Sequence, residues 1–268
     1  MAAFGNRKRW KVKRIRYCDE SGVQWGELEG GTVYPLTGLV GERSGPAVML
    51  SEVTLLAPCE PKNIVCVGKN YAKHILEMGG SAEDLPKEPG LFIKSLGTLS
   101  NPGDPIPYPS WTKNLHFEGE LAVVVSRTMK DVSEADALGH VLGYTCAVDV
   151  TARDKQRSDL QWARGKSADG FCPVGPWLET DLDTSALGVQ TKLNGALKQD
   201  GNTQDLIFSV PKILSYISSF LTLGPGDLVL TGTPDGVGPM NVGDRLEVTV
   251  EGIGTLECQV EASERLVP

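Results

Sequence analysis

The segment Asn114-Leu-His-Phe-Glu-Gly-Glu-Leu-Ala-Val-Val-Val125 begins with polar residues and continues into an apolar, β-branched run. This pattern is typical of a strand that enters a buried core. Side chains alternate between the two faces of a strand, so His116, Glu118 and Glu120 are predicted to share one face. Two adjacent buried carboxylates are costly without a cation between them, and a divalent metal ion with oxygen ligands would remove that cost. The other interpretation is a solvated strand end with two ordinary surface acids.

A second apolar run, residues 141–150, contains a single carboxylate, Asp149. A lone Asp in such a run needs a hydrogen-bonded partner or a metal ion. If the two strands are neighbours, Asp149 completes a set of three carboxylates with Glu118 and Glu120. Hard oxygen donors, with neither Cys nor a second His at ligand spacing, favour Mg²⁺, Mn²⁺ or Ca²⁺ over Zn²⁺.

Three carboxylates around one divalent ion leave a residual negative charge, which would repel an anionic substrate. Two lysines stand at the ends of structured runs. Lys94 follows a short apolar run, and Lys166 precedes an aromatic, proline-rich segment. Both are predicted to supply the positive charge that a small anionic substrate requires.

A short helix is predicted over residues 69–78, because the sequence there has helical character and is followed by Gly79-Gly80. His74 and Glu77 are three residues apart and would face each other on one helical turn. The polar segment that follows, residues 79–90, has the composition of a mobile loop, so the pair could belong to a catalytic lid. The other interpretation is an ordinary ion pair on a helix surface.

The composition limits the class of protein. The chain has 268 residues, a net charge of −8 and six scattered cysteines without a CxxC pair. The acidic charge argues against nucleic-acid binding, and the longest apolar runs are too short for a membrane span. Neither a disulfide framework nor a zinc site is expected, and the predicted location is the cytoplasm or an organelle matrix.

The pattern of strands predicts the domain organisation. Residues 1–16 carry seven basic side chains and no acid, and a frayed start is predicted to lead into the first strand. A small β-rich domain is predicted over residues 1–57, followed by a catalytic domain over residues 58–268. Regular alternation of strands and helices is absent, so an α+β, mainly β fold is predicted rather than a doubly wound sheet. The early strand-like pieces lie at residues 12–17, 23–27, 32–35 and 53–56.

Three further patterns concern the second half of the chain. Asn194-Gly195, between two strand-like runs, predicts a type I′ hairpin. Ser209 and Pro211 open a predicted helix whose apolar stripe extends to Phe220. The segment 231–238 contains three glycines and two threonines. Its backbone N–H groups could bind an anion, or the segment could be a wide turn between strands.

Six motifs in a fixed order identify a family resemblance. The chain resembles the fumarylacetoacetate hydrolase superfamily over about residues 63–265, and within it the acylpyruvase and oxaloacetate decarboxylase subgroup. This resemblance implies a mixed β-sandwich roll with a few short helices, a small β-rich N-terminal domain and a homodimer. Two positions depart from the family pattern: Lys73 stands where many members have Asp, and Ser95 replaces a common Pro. The motifs are Gly68-Lys69-Asn70-Tyr71 with His74, Phe92-Ile93-Lys94, His116-Phe117-Glu118-Gly119-Glu120-Leu121, Asp149-Val150-Thr151-Ala152-Arg153-Asp154, Gly165-Lys166-Ser167 and Leu230-Thr231-Gly232-Thr233-Pro234.

The resemblance also implies roles for individual residues. A Mg²⁺ or Mn²⁺ ion, replaceable by Ca²⁺ in crystals, would be held by Glu118, Glu120 and Asp149. A catalytic dyad on a lid would consist of His74 and Glu77, with Lys166 as a further catalytic group. His116 is expected only to support or pack beside the metal ligands. Substrate contacts would come from Lys94, Arg153, Gln156 and Thr233.

Three functions follow as hypotheses. The first is cleavage of a C–C bond in a small 2-oxo (1,3-diketo) acid through a metal-bound enolate, as in an acylpyruvate hydrolase or an oxaloacetate decarboxylase. The second is an isomerase or tautomerase of 2-oxo or 2-hydroxy-dienoic diacids, of the oxaloacetate tautomerase or 2-hydroxyhepta-2,4-diene-1,7-dioate isomerase type. The third is a keto-acid binder without activity. The His74–Glu77 pair could activate a water molecule, which favours the first hypothesis.

Overall fold

Strands make up most of the regular structure in the computed structural model, which describes residues 12–263. The predicted frayed start, residues 1–10, lies outside the described residues. The first strands are β1 (Lys13–Asp19), β2 (Gly22–Glu29), β3 (Thr32–Leu36), β4 (Val48–Met49) and β5 (Thr54–Leu56). The middle strands are β6 (Ile64–Gly68), β7 (Gly90–Lys94), β8 (Leu99–Ser100), β9 (Ile106–Tyr108), β10 (Leu115–Phe117), β11 (Gly119–Val125), β12 (Val141–Val148), β13 (Thr151–Ala152) and β14 (Cys172–Glu179). The last strands are β15 (Gly188–Leu193), β16 (Ala196–Asn202), β17 (Leu228–Leu230), β18 (Gly238–Pro239), β19 (Arg245–Val250) and β20 (Gly254–Ala262).

The described strands form three sheets. The largest has the order β4-β3-β2-β1-β14-β12-β11-β17-β6-β7, with β5 paired to β1 and β8 paired to β14. A five-stranded sheet has the order β16-β15-β19-β20-β9, and a three-stranded sheet the order β13-β10-β18. Most neighbours are antiparallel, whereas β6 with β17, β8 with β14 and β9 with β20 are parallel. The predicted α+β, mainly β fold is confirmed.

The helices are few and short. The longest, α5, begins after Ser209, whose hydroxyl accepts the N–H of Lys212, and it has Pro211 in its first turn, as predicted. Its buried stripe contains Ile213 and Ile217, but Phe220 is 62% exposed, so its predicted place in the stripe is wrong. Within residues 12–263, every helix is too short or too polar to cross a membrane. The helices are α1 (Ala72–Glu77), α2 (Glu134–Ala137), α3 (Arg153–Ser158), α4 (Ala163–Lys166) and α5 (Val210–Phe220), with 3-10 turns at Leu50–Glu52, Ala82–Asp84, Leu96–Thr98, Leu138–His140 and Thr203–Asp205.

Strand β11 lies at the centre of the large sheet and is buried on both faces. Leu121 and Val123 pack into the core that includes residues of the five-stranded sheet and α5. Ala122 and Val124 point the other way, into a second core with Leu228 of β17 and residues of β6 and β14. A strand covered on both faces needs apolar residues at every position, which explains the unbroken apolar run of its sequence.

The N-terminal strands continue the large sheet. Strand β1 pairs with β14, with Lys13 opposite Glu179. These strands also have a small core of their own, formed by Ile15, Tyr17, Leu28 and Val33. The division of the chain at residue 57 stays a prediction.

The hairpin between β15 and β16 turns where the sequence predicts. Asn194 and Gly195 have φ angles of 53° and 77°. Two successive positive φ angles are the requirement of a type I′ turn, and Asn-Gly meets it with little strain. The hairpin prediction is confirmed.

Candidate active site

Three buried carboxylates meet beside strands β11 and β12. Glu118 lies just before β11, Glu120 is its second residue, and Asp149 directly follows β12. The two strands are antiparallel neighbours, so these positions come together, and one oxygen from each carboxylate lies within 4.8 Å of the others. The prediction that Asp149 joins Glu118 and Glu120 from a neighbouring strand is confirmed.

Residues 114–125 form two strands rather than the single strand predicted. Strand β10 pairs in the three-stranded sheet and β11 in the large sheet, so the chain changes sheets at Glu118. Leu115 and Phe117 of β10 nevertheless pack in the same core as Leu121 and Val123 of β11, so alternate side chains keep their sides across the break. His116 lies outside the residues that line the cavity at the carboxylates, and its Nε2 is 2.8 Å from Asn114 Oδ1. His116 thus lies on the same side of the chain as the two glutamates but does not reach the cavity, and its part in the site stays a prediction.

His116 is neutral at physiological pH. Burial, with a further contribution from the Arg153 charge, lowers the pKa of its ring to about 4. A neutral ring beside Glu118 adds no charge to the carboxylate cluster, and the supporting role expected of His116 stays a prediction.

Lys166 bridges two of the carboxylates. Its Nζ donates to Glu118 Oε2 at 2.7 Å and to Asp149 Oδ2 at 2.6 Å. Burial alone would lower the pKa of this ammonium group, but Asp149 and Glu118 outweigh burial and raise it. Lys166 therefore stays protonated in the site, as the charge argument from the sequence requires.

Lys94 contacts a carboxylate rather than the cavity. Its Nζ donates to Asp149 Oδ1 at 2.6 Å and to the carbonyl of Val150 at 3.3 Å. The side chain is fully buried and is absent from the cavity lining. Its contacts support a role in holding Asp149, and direct contact with substrate stays a prediction.

Arg153 is fully buried and pairs with Glu118. Its second amino group donates to Gln156 Oε1 at 2.6 Å. Because that oxygen is occupied, the donor atom of the Gln156 amide remains for the cavity, which both residues line. Burial would raise the pKa of the Glu118 carboxyl, but Lys166 and Arg153 outweigh it and hold this pKa well below its usual range.

Glu120 differs from the other two carboxylates because none of the ion pairs among residues 12–263 includes it. Its Oε2 accepts the N–H of Gly232 at 2.6 Å. Burial, followed by the Asp149 and Glu118 carboxylates, raises the pKa of Glu120 well above its ordinary value. Three carboxylates with oxygen donors, one of them lacking a cation, fit a hard divalent metal ion. The oxygens that already accept hydrogen bonds keep a second lone pair for such an ion.

His74 and Glu77 form the predicted pair on α1. His74 Nδ1 lies 3.4 Å from Glu77 Oε2, and His74 lines the cavity. Glu77 stands behind it and accepts the N–H of Gly236. The segment 231–238 therefore gives backbone N–H groups to anions, as one interpretation predicted, and these anions are the carboxylates of Glu120 and Glu77.

Thr233 also lies in this segment and lines the cavity. Its hydroxyl donates to the carbonyl of Gly119 at 2.9 Å and accepts from Gln199 Nε2 at 2.7 Å. Both contacts are within the protein, so the predicted contact of Thr233 with substrate stays a prediction.

A cavity of about 400 Å³ opens over the carboxylates. Eight of the ten predicted site residues line it, and Glu77 and Lys94 lie behind it. Three charged residues of the lining, Lys69, Asp84 and Arg157, were not predicted as site residues, and neither was an apolar wall. Arg157 lies four residues after Arg153 on α3, so helical spacing could have identified it. The wall consists of Ile75, Met78, Phe92 and Trp162.

Known proteins resemble this chain over most of its length. The fumarylacetoacetate (FAA) hydrolase C-terminal family matches residues 63–261, and the Rv2993c-like N-terminal family matches residues 13–58. Oxaloacetate tautomerase YisK of Bacillus subtilis is 42% identical over 224 residues, which cover 79% of this chain and 74% of YisK.

Two crystal structures are similar to the fold described above. The structure of 2-hydroxyhepta-2,4-diene-1,7-dioate isomerase from Mycobacterium marinum has a TM-score of 0.88 and 41% identity, and the match covers 95% of this chain and 100% of that one. Fumarylpyruvate hydrolase from Pseudomonas aeruginosa, in complex with Mn²⁺ and pyruvate, has a TM-score of 0.72 and 32% identity, with 76% and 91% covered.

Proposed function

This chain belongs to the fumarylacetoacetate hydrolase C-terminal family, and from that membership we propose that it is a metal-dependent enzyme that interconverts the keto and enol forms of small 2-oxo acids. Oxaloacetate is the first substrate to test, because YisK is named an oxaloacetate tautomerase and the M. marinum relative an isomerase. The observation that carries the proposal is the position of His74, which lines the same cavity as Glu118, Glu120 and Asp149. The His74 ring, which can transfer a proton, thus lines the same cavity as three carboxylates that can bind a cation.

Each residue has a defined part in this reaction. When bound by the three carboxylates, Mg²⁺ or Mn²⁺ supplies Lewis acidity that stabilises negative charge on the keto oxygen. His74 takes the proton from the neighbouring carbon and returns it to the oxygen. Glu77 orients the His74 ring and stabilises its protonated form. The Gln156 amide donates to the substrate's carboxylate, and Lys166 offsets the negative charge that develops.

Cleavage of a C–C bond is the second candidate function. The sequence alone favours it, and one observation supports it in the fold. Glu77 is held by the backbone of Gly236 while it contacts His74, an arrangement that suits a base able to activate a water molecule. The P. aeruginosa relative is named a hydrolase. Hydrolysis of an acylpyruvate requires that water, whereas decarboxylation of oxaloacetate does not.

The test compares these reactions in one preparation. The protein is treated with a chelator, reloaded with Mg²⁺ or Mn²⁺, and assayed for tautomerisation of oxaloacetate, release of pyruvate from oxaloacetate, cleavage of acetylpyruvate and isomerisation of a hydroxy-dienoic diacid. We expect tautomerisation to be fastest and to require metal. His74→Ala should lose it, and His140→Ala, a surface histidine bonded to the Thr128 carbonyl, should keep it. Faster cleavage of acetylpyruvate would favour the second function, and binding of oxalate without turnover of any substrate would leave only a binder.

Location and assembly form part of the proposal. We place the enzyme in a reducing compartment, the cytoplasm or an organelle matrix. Burial raises the pKa of Cys146 and Cys172 to about 12, so these thiols stay protonated in the core and do not need an oxidising environment. The net charge of −8 opposes nucleic-acid binding. A homodimer stays a prediction, which light scattering of the purified protein tests directly.

A further inference from the structure

Gln199 lies beneath the site, on strand β16, and has no exposed surface. It belongs to the five-stranded sheet, whereas Glu118 and Glu120 flank the start of a strand in the large sheet. A buried amide side chain must satisfy one acceptor and two donor hydrogens within the protein. The contacts of Gln199 therefore show which segments it joins.

The amide joins the metal-binding strand to the loop that holds the dyad. Gln199 Oε1 accepts the N–H of Gly119 at 2.9 Å, and Nε2 donates to Thr233 Oγ1 at 2.7 Å and to the carbonyl of Pro234 at 2.9 Å. The orientation of the amide is fixed, because Gly119 offers a donor and Pro234 an acceptor. The Thr233 hydroxyl donates to the Gly119 carbonyl at 2.9 Å. Gln199, Thr233 and Gly119 are thus joined in a closed ring of hydrogen bonds.

This ring is adjacent to three of the four carboxylates of the proposed mechanism. Gly119 lies between two of the carboxylates, Glu118 and Glu120. On the loop, Gly232 directly precedes Thr233 and donates to Glu120, while Gly236 lies two residues beyond Pro234 and donates to Glu77. The separation between the metal ligands and the dyad is thus set through the strand, the loop and the amide between them.

The packing leaves little freedom around the ring. A Cβ atom at Gly119 would lie 2.1 Å from Thr191 Oγ1, and one at Gly201 would lie 2.4 Å from Pro234 Cβ. At Gly236 it would lie 2.0 Å from the Lys198 carbonyl. Three glycines therefore let the hairpin β15–β16 pack directly against the strand and the loop, where the Gln199 amide makes all three contacts.

We propose that Gln199 is a positioning residue, which sets the geometry of the metal ligands and of the His74–Glu77 dyad through one buried amide without touching the substrate. The inference rests on the proposed metal site. Partners that orient metal ligands in this way commonly contribute about 10- to 100-fold to metal affinity.

The test measures Mn²⁺ binding by electron paramagnetic resonance, apart from activity. Gln199→Met keeps the length and removes all three hydrogen bonds, and Gln199→Glu keeps the acceptor for Gly119 but places a carboxylate against the Pro234 carbonyl. For both variants we expect the Mn²⁺ dissociation constant to rise about 10- to 100-fold and kcat at saturating Mn²⁺ to fall. Gln190→Met is the matched control, because Gln190 lies in the same hairpin and its side-chain amide donates to Asp200 at the surface. It should match the wild type.

Substitutions of Thr233 test the same ring of hydrogen bonds at a second position. Thr233→Ser keeps the hydroxyl and should bind Mn²⁺ like the wild type, whereas Thr233→Val should weaken binding. The double variant Gln199→Met/Thr233→Val should be no weaker than the worse single variant, because both changes open one ring. Should Gln199→Met fail to fold, Gln199→Glu and Thr233→Val supply the same measurement.

The outcomes separate the inference from the function. The Gln199 variants and Thr233→Val could fold with a lower melting temperature but keep the wild-type Mn²⁺ affinity and kcat. That result would overturn the positioning role. Fully additive losses in the double variant would overturn it as well. A wild-type protein that binds no Mn²⁺ would instead overturn the proposed metal site and function.

Discussion

The Glu77 carboxylate accepts the N–H of Gly236 through both of its oxygens, at 3.0 and 3.1 Å, although 159 residues separate the two in sequence. Gly236 has a φ angle of 96°, and a Cβ atom there would lie 2.0 Å from the Lys198 carbonyl. Only glycine fits this position. The loop can therefore fix Glu77 behind His74 before any substrate is present.

The charge of Glu77 is the first feature to test. In Glu77→Gln the amide oxygen still accepts from Gly236, but the negative charge beside His74 is lost. We expect kcat to fall about 10²- to 10⁴-fold, the range for general acid–base catalysis, while the Mn²⁺ dissociation constant and the melting temperature stay unchanged. Glu83→Gln, which changes an exposed acid of the neighbouring loop, is the control. If the kcat of Glu77→Gln equals that of Glu83→Gln, the Glu77 charge takes no part in catalysis.

Lys166 neutralises two buried carboxylates at once, and its removal should make the fold depend on metal. In Lys166→Met, Glu118 and Asp149 keep their charges in the core without their shared partner. Glu118 keeps Arg153 and Asp149 keeps Lys94, so the free energy of unfolding of the metal-free protein should fall by less than the cost of about 3–5 kcal/mol for a buried charge left without a partner. Mn²⁺ replaces the missing charge.

Melting curves with chelator and with Mn²⁺ check this expectation. The increase in melting temperature on adding Mn²⁺ should be larger for Lys166→Met than for the wild type. Lys155→Met changes a lysine near the surface that pairs with Asp154, and it should behave as the wild type does. An equal increase in all three proteins would show that Lys166 and the metal do not share the carboxylates.

Glu120 predicts the pH dependence of metal binding. Its pKa in the folded, metal-free protein is raised, so its contribution to stability is full below the unfolded value of about 4.3 and is lost as the pH rises through the folded value. A metal ion needs the ionised carboxylate and therefore displaces the proton. We expect Mn²⁺ affinity to increase with pH and binding to release a proton.

Calorimetric titration in two buffers with different heats of ionisation measures this proton directly. Glu120→Gln has no proton to release and should bind Mn²⁺ weakly at every pH. Asp183→Asn, an exposed acid outside the cavity, should retain both the proton release and the pH dependence. Binding to the wild type that is independent of pH would place Glu120 outside the metal site.

The sequence predicts the parts of this site that depend on local pattern. Two apolar runs that each carry carboxylates at one end suffice to bring Glu118, Glu120 and Asp149 together, because neighbouring antiparallel strands share their ends. The spacing of His74 and Glu77 on one helical turn is equally local. The Asn194-Gly195 turn needs nothing beyond its two residues.

Contacts between distant segments were not predictable in this way. Lys94 donates a hydrogen bond to Asp149, and the Gly236 N–H donates one to Glu77. Both bonds depend on how sheets and loops pack, and no local spacing in the sequence predicts them. The break at Glu118 has the same origin, since pairing with β13 and β18 draws β10 into a different sheet. In the sequence, Gln199 cannot be distinguished from an ordinary strand residue, because its hydrogen-bond partners are distant along the chain.

Arg157 leads to a prediction about substrate choice. It lines the cavity near Gln156 but is itself exposed, and the ion pairs among residues 12–263 leave its guanidinium without a carboxylate. Lys69 is a second exposed cation of the same lining. Arg157 is therefore available to a second acidic group of the substrate, whereas Lys69 already interacts with Asp84 of the same lining. Diacids should therefore bind better than acylpyruvates, whose second end is a neutral acyl tail.

The variant Arg157→Gln separates these two kinds of substrate. We expect its KM for oxaloacetate to rise about tenfold, the value of one hydrogen bond to a charged group, while its kcat and its KM for acetylpyruvate change little. Lys155→Gln lies on the same helix outside the cavity and controls for the loss of a positive charge. High salt should raise the KM of the wild type for oxaloacetate and have less effect on Arg157→Gln, because the screened interaction is already absent. An equal rise in KM for both substrates would mean that Arg157 shapes the cavity without selecting the second acid.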